Sequence, residues 1–146
     1  MINYNKNALI IRTNFFGHGS DYRASFSDYI LNSLIKYKRV ELFENVFYTP
    51  IIINELVRVV NQLLIFDKSG IYNVVSSEKI SKYDFGKLIE KFFNLKKGLI
   101  KKIKIDNRHD LALRPKDMSL SNLKILKELN LNIMPIEKQI KLLNVS

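Results

Sequence analysis

Short apolar runs rich in β-branched residues alternate with segments of helical periodicity, and no other pattern narrows the fold of this 146-residue chain as much. Ala8-Leu-Ile-Ile-Arg-Thr13 predicts a buried, parallel strand, and Asn14-Phe-Phe-Gly-His-Gly-Ser20 a loop leaving its C-terminal end. Ser25 predicts the N-cap of a helix running to about Lys36, with Phe26, Tyr29, Ile30, Leu34 and Ile35 facing inward. Val40–Phe43 predicts a strand, and Phe47-Tyr-Thr-Pro-Ile51 an extended segment, because the residue before a proline avoids helical geometry. A second helix is expected from an Asn54 cap, with Leu56, Val57, Val60, Leu63 and Leu64 along its apolar side and Lys68-Ser-Gly70 ending it. Ile71–Val75 predicts a further strand, and Ser81-Lys-Tyr-Asp84 a capped helix start with Phe85, Leu88, Ile89, Phe92 and Phe93 inside. Ile100, Ile103 and Ile105 mark a last strand. A loop follows Asn107 and ends in Leu113–Asp117, with helices over about Ser121–Leu129 and after Pro135. Strands alternating with helices imply an α/β layer architecture. The lack of Pro/Gly-rich breaks and repeats implies one unit over residues 1–146.

Several function classes are excluded by what the chain lacks. With no cysteine there is no disulfide framework, thiolate metal site or cysteine nucleophile. The two histidines, His18 and His109, lie far apart without metal-ligand spacing, and His18 between two glycines reads as an exposed loop residue. No Gly-x-Ser-x-Gly elbow, P-loop or G-x-G-x-x-G occurs; Gly17-His-Gly19 lacks the third glycine of a dinucleotide turn. No apolar run reaches the roughly 18 residues of a membrane span, and the first residues lack signal-peptide character, so the expectation is a soluble, cytoplasmic chain without a membrane partner. The formal charge of +10 rests on 24 Lys+Arg against 14 Asp+Glu. Nine lysines but only two acids fall between Lys79 and Lys104, whereas arginine, the better phosphate fork, totals six. A solvated lysine face, with no nucleic-acid partner, is the expectation.

Two polar clusters carry candidate chemistry. Arg12-Thr13-Asn14 sits at the C-terminal end of the first strand, where α/β sheets place ligand contacts; Asn14 either turns the chain or holds a sugar hydroxyl or phosphate oxygen. Arg114-Pro115-Lys116-Asp117 presents its arginine on a proline-stiffened loop, either to solvent or to an oxyanion. Phe15, Phe16, Phe47 and Tyr48 belong either to the core or to a surface that stacks on a base or sugar ring.

Taken in order, Leu9-Ile-Ile-Arg-Thr-Asn-Phe-Phe-Gly17, Phe47-Tyr-Thr-Pro50 before Glu55-Leu-Val57, Gly70-Ile-Tyr-Asn-Val74, Ser81-Lys-Tyr-Asp-Phe85 and Arg114-Pro-Lys-Asp-Met-Ser-Leu120 form a recognisable series. From about Ala8 to Ile140 the chain resembles the C-terminal, substrate-binding half of extended short-chain dehydrogenase/reductases acting on nucleotide sugars, above all the dTDP-4-dehydrorhamnose reductase and sugar epimerase/dehydratase family. The resemblance implies an α/β, Rossmann-like fold represented by its C-terminal portion, without the dinucleotide-binding half, and a first strand (about 8–13) that joins the Rossmann sheet in full-length relatives. It implies a nucleotide-sugar site at Thr13, Asn14, Phe15, Phe47, Tyr48 and Arg114, with Arg114 on the diphosphate, and NAD(P) as the coenzyme of full-length members.

The chain also departs from the family. Many relatives carry a second diphosphate-binding arginine at about the place of Tyr48, and dehydrorhamnose reductases usually have serine and another aromatic at the places of Asn14 and Phe15. The family's Tyr-x-x-x-Lys recurs only as Tyr83–Lys87, in the region matching the substrate domain, where the tyrosine reads as core. With no cofactor turn and no credible catalytic pair, the expectation is a domain that binds no NAD(P) by itself, carries no catalytic residue and is inactive alone. A truncated or split product, paired with a separate Rossmann-half polypeptide or with a second copy through the edge left by its first strand, is one reading. A non-catalytic interaction or regulatory subunit of the same fold is the alternative.

Overall fold

A computed structural model describes residues 7–20, 22–108, 110, 112 and 115–143. Its strands are β1 (Leu9–Arg12), β2 (Phe15–Phe16), β3 (Val40–Phe43), β4 (Phe47–Tyr48), β5 (Ile51–Ile52), β6 (Gly70–Asn73), β7 (Ile80–Ser81) and β8 (Ile100–Ile103). The helices are α1 (Phe26–Ile35), α2 (Ile53–Ile65), α3 (Lys82–Phe92), α4 (Leu123–Leu129) and α5 (Ile136–Ile140). This is the mixed α/β alternation expected from the sequence.

The strands form four separate pairs. β1 runs parallel to β6 with Leu9 opposite Gly70, β2 parallel to β5, β3 parallel to β8 with Val40 opposite Ile100, and β4 antiparallel to β7. Two apolar cores lie among them. One gathers Ile30, Leu34, Val40, Phe85 and Ile89 between α1, α3 and the β3–β8 pair, and the other gathers Ile51, Val59, Leu63, Val74 and Ile125 around α2, α4 and the β1–β6 pair. Ile51 and Ile52 straddle the seam, one in each core. There Gln139 of α5, fully buried, accepts the Ile52 N–H (2.7 Å) and donates to the Met134 carbonyl.

Local chemistry explains the boundaries. Ser25 caps α1 in a reciprocal box: its hydroxyl accepts the Asp28 N–H at 3.1 Å, and the Asp28 carboxylate accepts the Ser25 N–H at 2.9 Å. Ser81 caps α3, accepting the Asp84 N–H at 3.0 Å. Four helices end through a non-glycine residue at positive φ: Tyr37, Asp67, Asn94 and Asn130. The stop of α2 is therefore Asp67, before the Lys68-Ser-Gly70 stretch that the sequence offered.

Other expectations need correcting. Asn54 does not cap α2: β5 stays extended up to Ile52, the N-cap residue, so α2 starts at Ile53 and Asn54 falls exposed in its first turn. Val57 and Leu64 face water while Leu56, Val59 and Leu63 are buried, because apolar residues occur on more than one side of α2 and period alone does not choose among them. Tyr29 and Ile35 of α1 are exposed and Leu31 is buried, for the same reason. Ile105 leaves the strand for a 3-10 turn over Ile105–Asn107.

Candidate functional site

The turn between β1 and β2 is tied to two distant segments. The Asn14 carbonyl accepts the Ile51 N–H at 3.1 Å, and its side-chain amide donates to the Met118 carbonyl at 3.0 Å. The Phe47 N–H donates to the Lys116 carbonyl (2.7 Å), the Phe47 carbonyl accepts the Met118 N–H (2.9 Å), and the Thr49 hydroxyl accepts the Leu120 N–H (3.1 Å). Backbone pairing thus laces the segment after Pro115 along β4. Arg114 itself lies outside the described residues, but the residues that follow it are held beside Asn14 and Phe47.

Of the remaining candidates, Phe15 and Tyr48 line one cleft of about 130 Å3 together with Phe16, Ser25, Phe26 and Lys82. Phe15 is 63% exposed, an unusual position for a large aromatic, while Tyr48 is buried. Phe47 is not a wall of this cleft: the Lys79 ammonium sits 4.9 Å above its ring and pairs with Asp117 at 2.5 Å. Two hydroxyls at the site, Thr13 Oγ1 and the Tyr48 phenol, are buried without a hydrogen-bond partner among the described residues. Such groups are costly unless something satisfies them. Burial pushes the Tyr48 phenol well above its ordinary pKa, so it stays protonated and able to donate.

The residue that sequence reasoning missed is Lys82. It opens α3, and its ammonium lies 3.5 Å from the Tyr48 ring centroid and 4.4 Å from that of Phe26. Desolvation lowers its pKa to about 8. A second, mainly apolar cleft of about 310 Å3, walled by Phe26, Leu42, Phe43, Val46 and Met118, meets the first at Phe26 and Lys82. At this point of β4 the chain has Tyr48 with a lysine ammonium over its ring. In the sequence Lys82 is one of nine lysines in a uniform basic stretch, and nothing sets it apart.

The rest of that stretch behaves as a solvated face. Lys87, Lys91, Lys101 and Lys102 pair with Glu90, Glu137, Glu41 and Glu44. Tyr83 packs against the first core with Lys102 5.0 Å from its ring centroid, and Lys87 turns to Glu90. His18 is an exposed loop residue whose Nδ1 meets Asp28 at 3.0 Å. The glycines of Gly17-His-Gly19 do not fit a coenzyme. A Cβ on Gly19 would lie 2.1 Å from the Arg23 carbonyl oxygen, and one on Gly17 would lie 3.0 Å from Ile53, so the packing of the chain itself, with no third glycine, accounts for both residues. Among the described residues no three His, Asp or Glu side chains gather as metal ligands, and no helix is long and apolar enough to cross a membrane.

Comparison with known proteins agrees with this geometry. The model of the RmlD substrate binding domain matches residues 1–144. A crystal structure of a hypothetical dTDP-4-dehydrorhamnose reductase from Sulfolobus tokodaii is 31% identical with a TM-score of 0.73, covering 87% of this chain and 44% of that one. The dTDP-4-dehydrorhamnose reductase of Bacillus anthracis, solved in complex with NADP, is 19% identical (TM-score 0.78; 91% and 46% covered). That of Yersinia enterocolitica is 20% identical (TM-score 0.78; 96% and 50% covered). The chain therefore spans about half the length of these relatives and has the fold of part of a Rossmann-like reductase. No curated protein matches it. With the family model matched almost from end to end and the fold shared with reductases of the same kind, the chain belongs to the RmlD substrate-binding domain family.

Proposed function

We propose that these 146 residues form the nucleotide-sugar-holding part of a dTDP-4-dehydrorhamnose reductase-like oxidoreductase, whose coenzyme is held by residues outside this stretch. One observation carries the reading: Asn14 is bonded to Met118 and Ile51, which brings the end of β1, the β4–β5 segment and the chain following Arg114 together beside a cleft lined by Phe15 and Tyr48. The wider apolar cleft suits the flat base, the narrower one the sugar, and Asn14, at the turn after β1, supplies a hydrogen bond to a hydroxyl or phosphate oxygen. Arg114 approaches the diphosphate from its proline-stiffened loop. Hydride transfer needs a nicotinamide held within reacting distance, and in this reading the residues that hold it lie outside this stretch.

Titration of the 146-residue chain with dTDP-glucose and UDP-glucose, followed by amide NMR, tests this. Shifts should concentrate at residues 12–16, 47–48 and 112–118, and addition of NADPH should produce no turnover. Undisturbed amides in those segments at millimolar nucleotide sugar would refute the site.

A second reading, an interaction subunit of the same fold, is favoured by an exposed apolar stripe on α2 formed by Ile53, Val57 and Leu64 and continued by Ile65 and Phe66. Sedimentation across a concentration series separates the two: a sugar-binding monomer supports the first, and self-association relieved by Val57→Asp with Leu64→Asp supports the second.

A further inference from the structure

The other lysines between Lys79 and Lys104 meet a carboxylate or stand in water. Lys79, Lys87, Lys91, Lys101 and Lys102 are paired, and Lys96, Lys97 and Lys104 are exposed. Lys82 does neither. It is half-buried, and no carboxylate among the described residues lies within 4.0 Å of it, while its ammonium rests on the faces of Tyr48 and Phe26. The neighbouring acids are engaged elsewhere: Asp84 with the Ser81 hydroxyl (2.6 Å), Asp28 with His18, Gly19 and Ser25, and Glu41 with Lys101 (2.8 Å).

An ammonium withdrawn from water without a counter-charge is unfavourable, and two aromatic faces compensate only in part. The position adds to the cost, since the first residue of an 11-residue helix stands at the positive end of its dipole. An anion entering the junction of the two clefts would meet a fixed cation and the helix terminus together. Hydrogen bonds to a charged group are stronger than neutral ones, and here the donor is oriented in advance.

We propose that Lys82 is the anion-receiving residue of this cleft, binding a phosphate oxygen of the ligand at the junction between the wider and the narrower pocket. The proposal rests on the nucleotide-sugar reading for the identity of the ligand, but the anion preference follows from the junction itself. Because the wider pocket is apolar and the narrower one carries Phe15, the ligand it favours has its charge in the middle and a ring at each end.

The test compares wild type, Lys82→Met and Lys82→Arg of the 146-residue chain against three probes: dTDP, thymidine and inorganic pyrophosphate. Calorimetry gives affinity, and the Lys82 Cε resonance in lysine-labelled protein gives a readout independent of variant folding. dTDP and pyrophosphate should each move the wild-type Lys82 resonance, thymidine should not, and Lys82→Met should weaken both anions at least about tenfold while leaving thymidine unchanged. Lys82→Arg should keep most of the anion affinity. Unchanged dTDP binding in Lys82→Met, with shifts still at residues 13–15 and 47–48, overturns the role of Lys82 and leaves the nucleotide-sugar reading standing. Pyrophosphate binding lost in Lys82→Met, with dTDP no better than pyrophosphate and silent at residues 13–15, supports Lys82 and overturns that reading. A Lys82 resonance that no anion moves overturns the proposal outright.

Discussion

Gln139 offers the sharpest test of how the candidate site is held in place. Its side chain is fully buried at the seam of the two cores, with one oxygen on the Ile52 N–H and its amide nitrogen on the Met134 carbonyl. Ile52 is the N-cap of α2 and has no side-chain cap of its own, so this long-range contact anchors the chain where β5 passes into α2, two residues beyond the site segment ending at Pro50. Gln139→Leu keeps the side chain's approximate volume but leaves the buried Ile52 N–H and the part-buried Met134 carbonyl unpaired. At about 1–3 kcal/mol for each such group, the loss should be about 2–5 kcal/mol, a large share of the about 5–15 kcal/mol that holds a domain of this size. Gln139→Glu distinguishes hydrogen bonding from packing. Ionised, the carboxylate accepts from Ile52 but cannot donate to Met134 and carries a buried charge; protonated, it can do both. Burial raises the pKa of such a group in the folded state, so the folded chain binds the extra proton and the deficit of Gln139→Glu should shrink as pH falls toward 5. Urea unfolding followed by circular dichroism at pH 5 and pH 8, with hydrogen exchange of the Ile52 amide, measures both effects. A Gln139→Leu protein within about 0.5 kcal/mol of wild type, with Ile52 still protected, would refute the reasoning.

Four further outcomes are expected. Arg58→Ala leaves the buried Glu55 carboxylate with only the Met134 N–H, and should cost about 2–3 kcal/mol at neutral pH by denaturant unfolding. Arg58 holds the Glu55 carboxyl below its ordinary value of 4.5, so the wild type carries this stabilisation in full above that pH and loses it as pH falls through the lower folded value; the gap to Arg58→Ala should narrow on acidification. Leu63→Ala, in the second core, should cost about 2–5 kcal/mol, and Gly19→Ala about 2–3 kcal/mol because its new Cβ meets backbone at Arg23 and Ser25, both read as falls in urea midpoint at unchanged slope. The last concerns Lys82, whose folded pKa of about 8 lies below its ordinary 10.5. Between those values the unfolded chain binds more protons, so stability rises with pH there, and wild type should gain on Lys82→Met by up to about 3 kcal/mol from pH 8 to 10.5. A pH-independent difference between the two would show that Lys82 is solvated.

The sequence carried most of the fold and rather less of the site. β1 and β6 were legible as apolar β-branched runs, and Ser25 and Ser81 as caps, because these signals are local and each has one physical outcome. Asn54 misled because its cap preference yields to the pairing of β5 with β2, a partner that no window around residue 54 contains. The face of α2 was misread for a related reason: Val57 and Val59 have identical chemistry, and only α4 and the β1–β6 pair decide which of them is covered. Asn14, Phe15 and Tyr48 were singled out as candidates through the strand end and the family pattern. Lys82 was not, since its character comes from two rings contributed by α1 and β4 and from acids that turn away from it. Charge counted along a chain shows none of this; charge placed against its surroundings does.

The four strand pairs also have a kinetic meaning. Every one of them joins strands that have at least one complete helix between them in the chain, and β1 with β6 and β3 with β8 each have two. No hairpin exists among the described residues to serve as an early local template, so loop closure must precede any ladder, and folding should be slow for a chain of this length. During synthesis the same wiring delays the pocket: residues 13–16 emerge before β4, the start of α3 and Met118, and wait for each in turn before their partners exist. Until then Phe15 and the apolar rim of β1 stand open, and this interval, more than the finished molecule, is where a chaperone or a second chain would find its opportunity.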